Sequence, residues 1–468
     1  MENKTKKFHL ASVILSVICV VFVVEAAAPV ASIGNSQYFW WVFMMLLFLL
    51  PYGMIAAELG TTYVGDGGLY DWVNTAYPTT KWGARVAWYY WINFPLWMAS
   101  LAVICPRLLG TMFGWEPSPF VSLLIELAFI WIVTIVAFFP VCDSIWILNL
   151  SAAVKVVLAL TVGGLGVWYV VRNGFANAGG FRTYLPSFRP GSLSYISVII
   201  FNFLGFEVVC TYADNMTKPK RQIPQAIVAG GIAIAVIYLF SAFGIGAAVP
   251  TDRINTDTGL IDAVSLITGR TGGFLIGLVS FLFLVTLFGN MISWSMGVNS
   301  TAAYAADRGD MPRAFSLRWE RNGMPIGAAL TSGIVASVVC LAGMLMEVLA
   351  PESSLFWSFF ALNLVMLLLS YIPVFPAFLH LRKNDPARER PFRVPGGQKT
   401  AAWVAYVPMA LTILSVFFTA IPLSFDRETL ASFLPITIGS ILAVVIGEIL
   451  IRLRAGRTSA KEADRKEL

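Results

Sequence analysis

Two membrane-length apolar stretches of this chain each carry a carboxylate near their middle, beside residues that weaken a helix. Glu25 stands shortly before Pro29 in the first stretch, and Glu207 follows Gly205 in the second. A charge and freed main-chain groups are costly in hydrocarbon unless they line a polar cavity. Two such segments at corresponding places in two halves of a chain indicate the substrate site of a secondary transporter.

Both carboxylates favour a cationic ligand or a proton. Glu25 lies about 15 residues into its stretch, or roughly 22 Å along a helix. We expect it to attract a substrate amine or carry a proton, although it could instead cap the outer end of a short helix. A carboxylate withdrawn from water holds its proton more readily. Glu207 is therefore expected to alternate between a proton and substrate, and hydrogen bonding to a neighbouring helix is the alternative.

One cation lies deep in an apolar stretch. Lys155 is about 16 Å along a helix from Ser144, farther than a lysine chain extends to reach water. Its ammonium therefore needs a partner inside the protein. An ion pair with a buried carboxylate and a role in proton coupling are both open.

The composition defines the class of protein that positions these groups. The chain has 468 residues, 58% hydrophobic and 12% charged, with mean hydropathy +0.76. Soluble proteins carry about 25% charged residues, and a membrane helix needs roughly 20 apolar residues. We predict an all-α membrane protein. Its twelve predicted transmembrane helices are 10–33, 38–60, 83–106, 120–140, 144–171, 193–213, 224–249, 273–303, 325–350, 354–381, 401–423 and 432–452.

The net charge of +6 reflects an excess of lysine and arginine on one side of the membrane. With twelve spans, one side of the membrane holds 24 of the 32 lysines and arginines, and the loops of the other side hold 7. The positive-inside rule then places both termini in the cytoplasm. The expected location is the cytoplasmic membrane, crossed many times. A cleaved signal peptide ending at Ala28 is the rival interpretation. It is disfavoured because Pro29 follows and the apolar run continues to Ile33.

The order of spans predicts two similar halves. Each half opens with an interrupted helix, as expected for inverted five-helix repeats followed by two extra helices. The predicted organisation is an N-terminus over 1–9, repeats over 10–172 and 192–383, helices 11 and 12 over 401–452, and a cytoplasmic tail over 453–468.

Several short motifs resemble one family. Residues 66–73 (Asp-Gly-Gly-Leu-Tyr-Asp-Trp-Val), 205–207, 215–224, 302–312 and 390–397 resemble segments of the amino acid–polyamine–organocation superfamily, in its order. The closest resemblance is to the glutamate:GABA antiporter branch, which also contains amine exchangers. The resemblance implies the inverted-repeat, leucine-transporter-like fold.

One departure from the family bears on the substrate. Members of the superfamily usually carry Gly-x-Gly at the helix 1 break, where bare amides hold a substrate carboxylate. This chain has Glu25 and three alanines there, and a glutamate repels a carboxylate. A cationic amine or polyamine is therefore favoured over an amino acid.

The resemblance also assigns candidate site residues. Substrate contact is expected from Glu25, Ala26, Ala27, Ala28, Tyr90, Phe201, Gly205, Phe206, Glu207 and Trp294. Gating or proton coupling is expected from Glu207, Tyr90, Tyr371 and Glu58, with a loop ion pair as the alternative for Glu58. Lys155 is expected to replace the sodium ion of sodium-coupled relatives. For the aromatic residues, core packing is the alternative.

The resulting prediction is a sodium-independent antiporter that exchanges amines or amino acids by alternating access. A glutamate:GABA-like or neutral amino-acid antiporter is the alternative, and a channel or membrane receptor is more distant. No catalytic motif, cofactor, metal or nucleic-acid partner is expected. The bilayer and small amine or amino-acid substrates are the expected partners. The oligomeric state stays open, with a homodimer as one option.

Overall fold

A computed structural model describes residues 9–24, 27–65, 67–177, 179–188, 193, 195–206, 216–255, 259–269, 272–349, 354–424 and 426–467 of the chain. The α-helices of the described part are α1 (Leu10–Val21), α2 (Ala27–Ala31), α3 (Ser36–Met44), α4 (Leu50–Thr62), α5 (Leu69–Ala76), α6 (Trp82–Phe113), α7 (Pro119–Val136), α8 (Val141–Asn173), α9 (Ile196–Phe201), α10 (Pro219–Ala248), α11 (Gly259–Thr268), α12 (Phe274–Asp307), α13 (Ile326–Leu349), α14 (Leu355–Tyr371), α15 (Val374–Asn384), α16 (Gln398–Ala420) and α17 (Arg427–Glu467). A π-helical turn, Met45–Leu49, joins α3 to α4, and 3-10 turns lie at Phe181–Tyr184, Thr251–Arg253 and Arg313–Ser316.

Ten segments in the described residues are long and apolar enough to cross a membrane. Each overlaps one predicted span. They are Ser36–Thr62, Trp82–Phe113, Pro119–Val136, Trp146–Asn173, Pro219–Ala248, Phe274–Asp307, Ile326–Met344, Leu355–Asn384, Gln398–Ala420 and Thr429–Arg454. The all-helical membrane class is thus confirmed, whereas the count of twelve crossings and the inverted repeats stay predictions.

The other two predicted spans, 10–33 and 193–213, do not form long helices in the described residues because both are interrupted. The helix α1 ends at Val21, the main chain at Phe22 is extended (φ −79°, ψ 110°), and α2 begins only at Ala27. In the second segment α9 ends at Phe201. Gly205 then adopts φ 106°, which a residue with a side chain rarely tolerates.

The helices around α1 determine what its broken end meets. The helix α1 packs against α8, α10 and α12, while α6 packs along α12 and α14. Most of α1 is buried, since Val17, Val20 and Val21 have no exposed surface. Polar side chains on α8, α10 and α12 are therefore placed to reach the main chain where α1 ends.

A glycine sets the close approach of α8 to α12. A Cβ atom added at Gly289 in α12 would lie 2.1 Å from Ser151 Oγ in α8. Ser151 is one helical turn before Lys155, and Gly289 precedes Asn290. Small residues at such contacts let membrane helices approach closely. Gly289 therefore allows α8 to bring Lys155 next to α12.

We predict that Gly289→Ala destabilises the protein because the new methyl group overlaps Ser151 and forces α8 and α12 apart. Overpacking of this kind costs about 1–3 kcal/mol. The measurement is thermal unfolding of the purified protein in detergent.

The matched control is Gly164→Ala, on α8, where an added Cβ meets nothing within 4 Å. This change is expected to be neutral or slightly stabilising, because alanine favours a helix over glycine by about 1 kcal/mol. Equal unfolding temperatures for the two variants would show that the close contact at Gly289 is not made.

Candidate functional site

The broken end of α1 exposes main-chain carbonyls that no residue of α1 satisfies. The last bond of the helix runs from the N–H of Phe22 to the carbonyl of Ile18 (3.0 Å). The last four carbonyls of any helix lack partners within it. Inside a bilayer these carbonyls need donors from elsewhere in the protein.

Lys155 supplies the charged donor. Its ammonium donates to the carbonyls of Cys19 and Phe22 and to Asn290 Oδ1 (3.0 Å), and the residue is fully buried. A cation at the C-terminal end of a helix also interacts favourably with the helix dipole. The ammonium thus lies among oxygen atoms at the helix break, an environment that would also suit a small metal cation.

Two neutral donors satisfy the carbonyls of Val20 and Val21, which lie between those of Cys19 and Phe22. Trp294 Nε1 donates to the carbonyl of Val20 (2.9 Å). The hydroxyl of Tyr238 donates to the carbonyl of Val21 (3.1 Å) and accepts from the N–H of Val23 (2.8 Å). The consecutive carbonyls of residues 19–22 therefore each have a donor from α8, α10 or α12.

Trp294 also joins the two broken segments. A Cβ atom added at Gly205 would lie 3.0 Å from the Trp294 ring and 3.0 Å from Val20 Cγ1. Gly205 therefore packs directly against both the indole and the last turn of α1. The structure thus brings Gly205 of the second interruption next to the end of α1.

Three of the predicted aromatic candidates belong to one buried cluster. Ring centroids are 6.2 Å apart for Tyr90 and Trp294, and 5.3 Å apart for Trp97 and Trp294. Trp97 also meets Phe201 edge to face at 5.0 Å, and Phe201 meets Phe360 at 5.2 Å. Trp97 and Phe360 were not predicted, because a chain that is 14% aromatic gives no way to single them out.

Phe206 and Tyr371 meet a common partner on α4. The Tyr52 ring lies 6.3 Å from Phe206 and 5.5 Å from Tyr371. All three are fully buried. Phe206 is therefore in contact with α4, and Tyr52 connects it to the end of α14.

Of the three alanines before Pro29, the structure describes Ala27 and Ala28. Ala27 and Ala28 are buried in α2, and a Cβ atom added at Gly259 of α11 would lie 2.7 Å from Ala28 Cβ. Ala28 therefore packs against α11. Glu25, Ala26 and Glu207 lie outside the described residues. Their predicted roles stay predictions.

Two buried amides near the second break have no partner. Both side-chain polar atoms of Asn202 and of Asn363 lack hydrogen bonds, and both residues are fully buried. Asn202 directly follows Phe201, and Asn363 is three residues beyond Phe360, which contacts Phe201. A buried polar group without a partner costs about 1–3 kcal/mol. Such groups are suited to receive a polar ligand.

Glu58 is held at the end of α4 by two arginines. Its carboxylate accepts from Arg382 Nε and Nη2 (both 2.8 Å), from Arg390 Nε (3.1 Å) and from the N–H of Val394 (2.7 Å). Only 1% of the Glu58 side chain is exposed. These contacts provide the ion pair that was one of the two predicted roles of this residue.

The short helix α5 is tied to the end of α12 in a similar way. Tyr70 OH donates to Asp310 Oδ2 (2.8 Å), and Arg308 pairs with Asp71 (3.3 Å). Burial raises the pKa of the Asp71 carboxyl, and the Arg308 guanidinium opposes that shift. These bonds fix the Gly-Gly segment that precedes α5 against α12.

Known proteins share this fold. The chain aligns with the structure of MhsT in complex with L-phenylalanine at a TM-score of 0.66 and 15% identity, covering 90% of this chain and 100% of MhsT. MhsT has a leucine-transporter-like fold, so the predicted fold class is confirmed in its general form.

The sequence assigns the family. The family model described as "Amino acid permease" matches residues 8–449, so the chain belongs to that family, within the predicted superfamily. A "Probable agmatine/putrescine antiporter" of Lactococcus lactis is 57% identical over 97% of this chain and 96% of the relative. A "Probable polyamine transporter" of Arabidopsis thaliana is 24% identical over 90% of this chain and 80% of the relative. The family and these relatives are transporters and not enzymes.

We predict that Glu58→Gln strongly destabilises the protein, because it leaves the buried guanidinium groups of Arg382 and Arg390 without their carboxylate. Removing one partner of a buried ion pair costs about 3–5 kcal/mol. Thermal unfolding in detergent measures the loss.

Asp307→Asn is the matched control. Asp307 pairs with Arg318 at 2.7 Å, but both side chains are 44% exposed. An exposed pair contributes about 0–1 kcal/mol. A Glu58→Gln protein that unfolds at the temperature of the Asp307→Asn protein would contradict the structural role of Glu58.

Proposed function

We propose that this chain is a sodium-independent antiporter that exchanges cationic amines of the agmatine and putrescine class by alternating access. The observation that carries the substrate class is the relative from Lactococcus lactis, 57% identical over nearly the full length of both chains. That relative favours amines over the glutamate:GABA-like alternative. The positive-inside distribution supports a cytoplasmic-membrane location with both termini inside.

The substrate is proposed to bind between the two interruptions. Glu25 and Glu207 attract its cationic ends. Phe201, Trp294 and Tyr90 cover it, because a cation over an aromatic face is stabilised by about 0.5–2 kcal/mol. The main chain of residues 26–28 and 205–206 contributes polar groups freed by the breaks. Support comes from the contact of Trp294 with Gly205 and Val20, which places both interruptions beside one indole.

The unpartnered amides fit a substrate with several hydrogen-bond donors. A guanidinium presents five N–H groups to acceptors. Asn202 and Asn363 each offer a buried carbonyl oxygen without a partner. We propose that one of these oxygens accepts from the substrate. Binding would then remove the free-energy cost of leaving this oxygen buried without a hydrogen bond, and affinity would increase.

Lys155 is proposed to remove the need for sodium. In a sodium-coupled carrier, unwound carbonyls and helix ends coordinate the ion at the break. Here the Lys155 ammonium donates to the carbonyls of Cys19 and Phe22. A fixed cation supplies the charge that sodium would bring, without coupling transport to its gradient.

Obligatory exchange follows from the cost of an empty site. Without substrate, Glu25 and Glu207 would face a dry constriction during the rocking motion, and unpaired buried charges are strongly unfavourable. A bound amine relieves that cost and allows the motion. Tyr90, Tyr371 and Glu58 are proposed as gate residues, with support from the contact of Tyr371 with Tyr52 beside Phe206 and from the bonds of Glu58 with Arg382.

Counterflow in proteoliposomes tests the proposed function. Vesicles loaded with putrescine, in sodium-free buffer, are expected to take up labelled agmatine at least tenfold faster than vesicles loaded with glutamate, γ-aminobutyrate or buffer alone. Adding sodium is expected to change the rate less than twofold. Uptake that depends on internal glutamate or γ-aminobutyrate would support the alternative substrate class. Uptake that needs no internal substrate would contradict exchange.

Lys155→Met is expected to lower the initial exchange rate at least tenfold, because Cys19 and Phe22 lose their charged donor while side-chain length is kept. A tenfold change corresponds to about 1.4 kcal/mol. Exchange is measured in the same counterflow assay after size-exclusion chromatography confirms a folded protein.

Lys399→Met provides the control, because Lys399 is exposed at the start of α16, and it is expected to exchange normally. If the folded Lys155→Met protein exchanges at the wild-type rate, or if wild-type exchange stops without sodium, the proposed role of Lys155 is wrong.

A further inference from the structure

A groove between helices lies away from the two interrupted segments. Its volume is about 910 Å³, and it is bounded by α6, α13, α14, α17 and the 3-10 turn Arg313–Ser316. Trp91 and Phe315 line it and are almost fully buried. Neither Phe201, Gly205 nor Trp294 contributes to it.

The surface of the groove is suited to contact with hydrocarbon chains. Its lining is mostly aliphatic and aromatic. The two hydroxyl groups in it are already used within their own helices, since Thr331 donates to the carbonyl of Gly327 (2.7 Å) and Ser358 to that of Ser354 (3.0 Å). Trp88 Nε1 donates to the carbonyl of Ala443 (2.9 Å). These three groups therefore do not select a polar ligand, and Trp91 Nε1 is the one buried donor of the described lining that has no hydrogen-bond partner.

The length of the groove matches the membrane interior. Along α17 the lining residues extend from Ala431 to Leu450, which is about 28 Å of helix. The hydrocarbon core of a bilayer is about 30 Å thick. An occupant that runs along this groove is therefore in contact with protein through most of the depth of the hydrocarbon.

One end of the groove is basic. Arg313 stands between the lining residues Pro312 and Ala314, and Arg452 follows the lining residue Leu450 by two positions. Both arginines are exposed, and neither forms an ion pair with any acidic residue that the structure describes. Glu448, four residues before Arg452, is paired with Arg85 and also interacts electrostatically with Arg452. Two exposed arginines therefore stand close in sequence to lining residues of this groove.

We propose that this groove binds an anionic phospholipid, with an acyl chain along α17 and the headgroup phosphate on Arg313 and Arg452. The charge of the two arginines favours an anionic headgroup, and arginine pairs well with phosphate. Basic sites between helices at the cytoplasmic side of a membrane are typical of anionic lipid recognition. The positive-inside rule assigns the Arg313 end of the groove to that side.

Native mass spectrometry of the full chain in detergent tests this site with two probes, phosphatidylglycerol and phosphatidylcholine. We expect the wild-type protein to retain phosphatidylglycerol at least fivefold more than phosphatidylcholine. The double variant Arg313→Gln/Arg452→Gln is expected to lose this preference. Lys399→Gln removes one positive charge elsewhere on the same proposed side and is expected to keep it.

A second variant tests the apolar part of the site. Ala342→Trp fills the groove from α13 and is expected to lower retention of both lipids, with exchange activity unchanged. Equal retention of the two lipids by the wild type would overturn the proposal. So would an unchanged preference in the double arginine variant. A cross-link between two copies of the Ile438→Cys protein, with no lipid retained, would overturn the proposal and assign the groove to a protein interface.

Discussion

Carbonyl groups that leave a helix inside hydrocarbon must find donors, and this requirement governs the site of the protein. At the end of α1 the carbonyls of residues 19–22 are taken by Lys155, Trp294 and Tyr238. These donors come from α8, α10 and α12. The interruption is therefore a feature of the packed bundle, because four helices must be in register for it to form. Gly289 contributes by allowing α8 to approach α12 beside Lys155.

The same donors connect the first break to the second. Trp294 satisfies Val20 with its N–H and covers Gly205 with its ring. The positive φ of 106° at Gly205 marks this second interruption in the main chain. Aromatic residues from α6, α9, α12 and α14 surround this junction. A substrate that enters between the breaks would meet ring faces and unpartnered amides, and this combination suits a flexible cation with donors at its end.

The sequence predicted the parts of this arrangement that depend on hydropathy and on helix breakers. The ten uninterrupted spans and the special role of Gly205 follow from local patterns. The first interruption was expected at residues 25–29, but α1 already ends at Val21 and Ala27–Ala31 are helical, so this break was placed several residues too late. Lys155 could be singled out because a lysine far inside an apolar stretch is unusual. The grouping of Tyr90, Phe201 and Trp294 came from family resemblance, since the aromatic content alone does not distinguish them.

Other residues could not be predicted because their structural roles depend on partners that are distant in the sequence. Tyr238 and Asn290 are single polar residues within apolar helices, and only the fold shows that they meet residues more than 130 positions away. Asn202 and Asn363 become notable only once their lack of partners is visible. Glu58 was assigned two roles, and the structure adds the arginines that hold it. The carboxylates Glu25 and Glu207 keep their predicted roles as hypotheses.

An experimental structure of the protein in lipid nanodiscs with agmatine, at a resolution that defines side chains, tests the central claim most directly. The expected density has α1 ending near Val21, the Lys155 ammonium on the carbonyls of Cys19 and Phe22, and agmatine beside Trp294 and Gly205. A continuous helix from residue 10 to residue 31, with Lys155 directed elsewhere or a sodium ion on those carbonyls, would contradict the account.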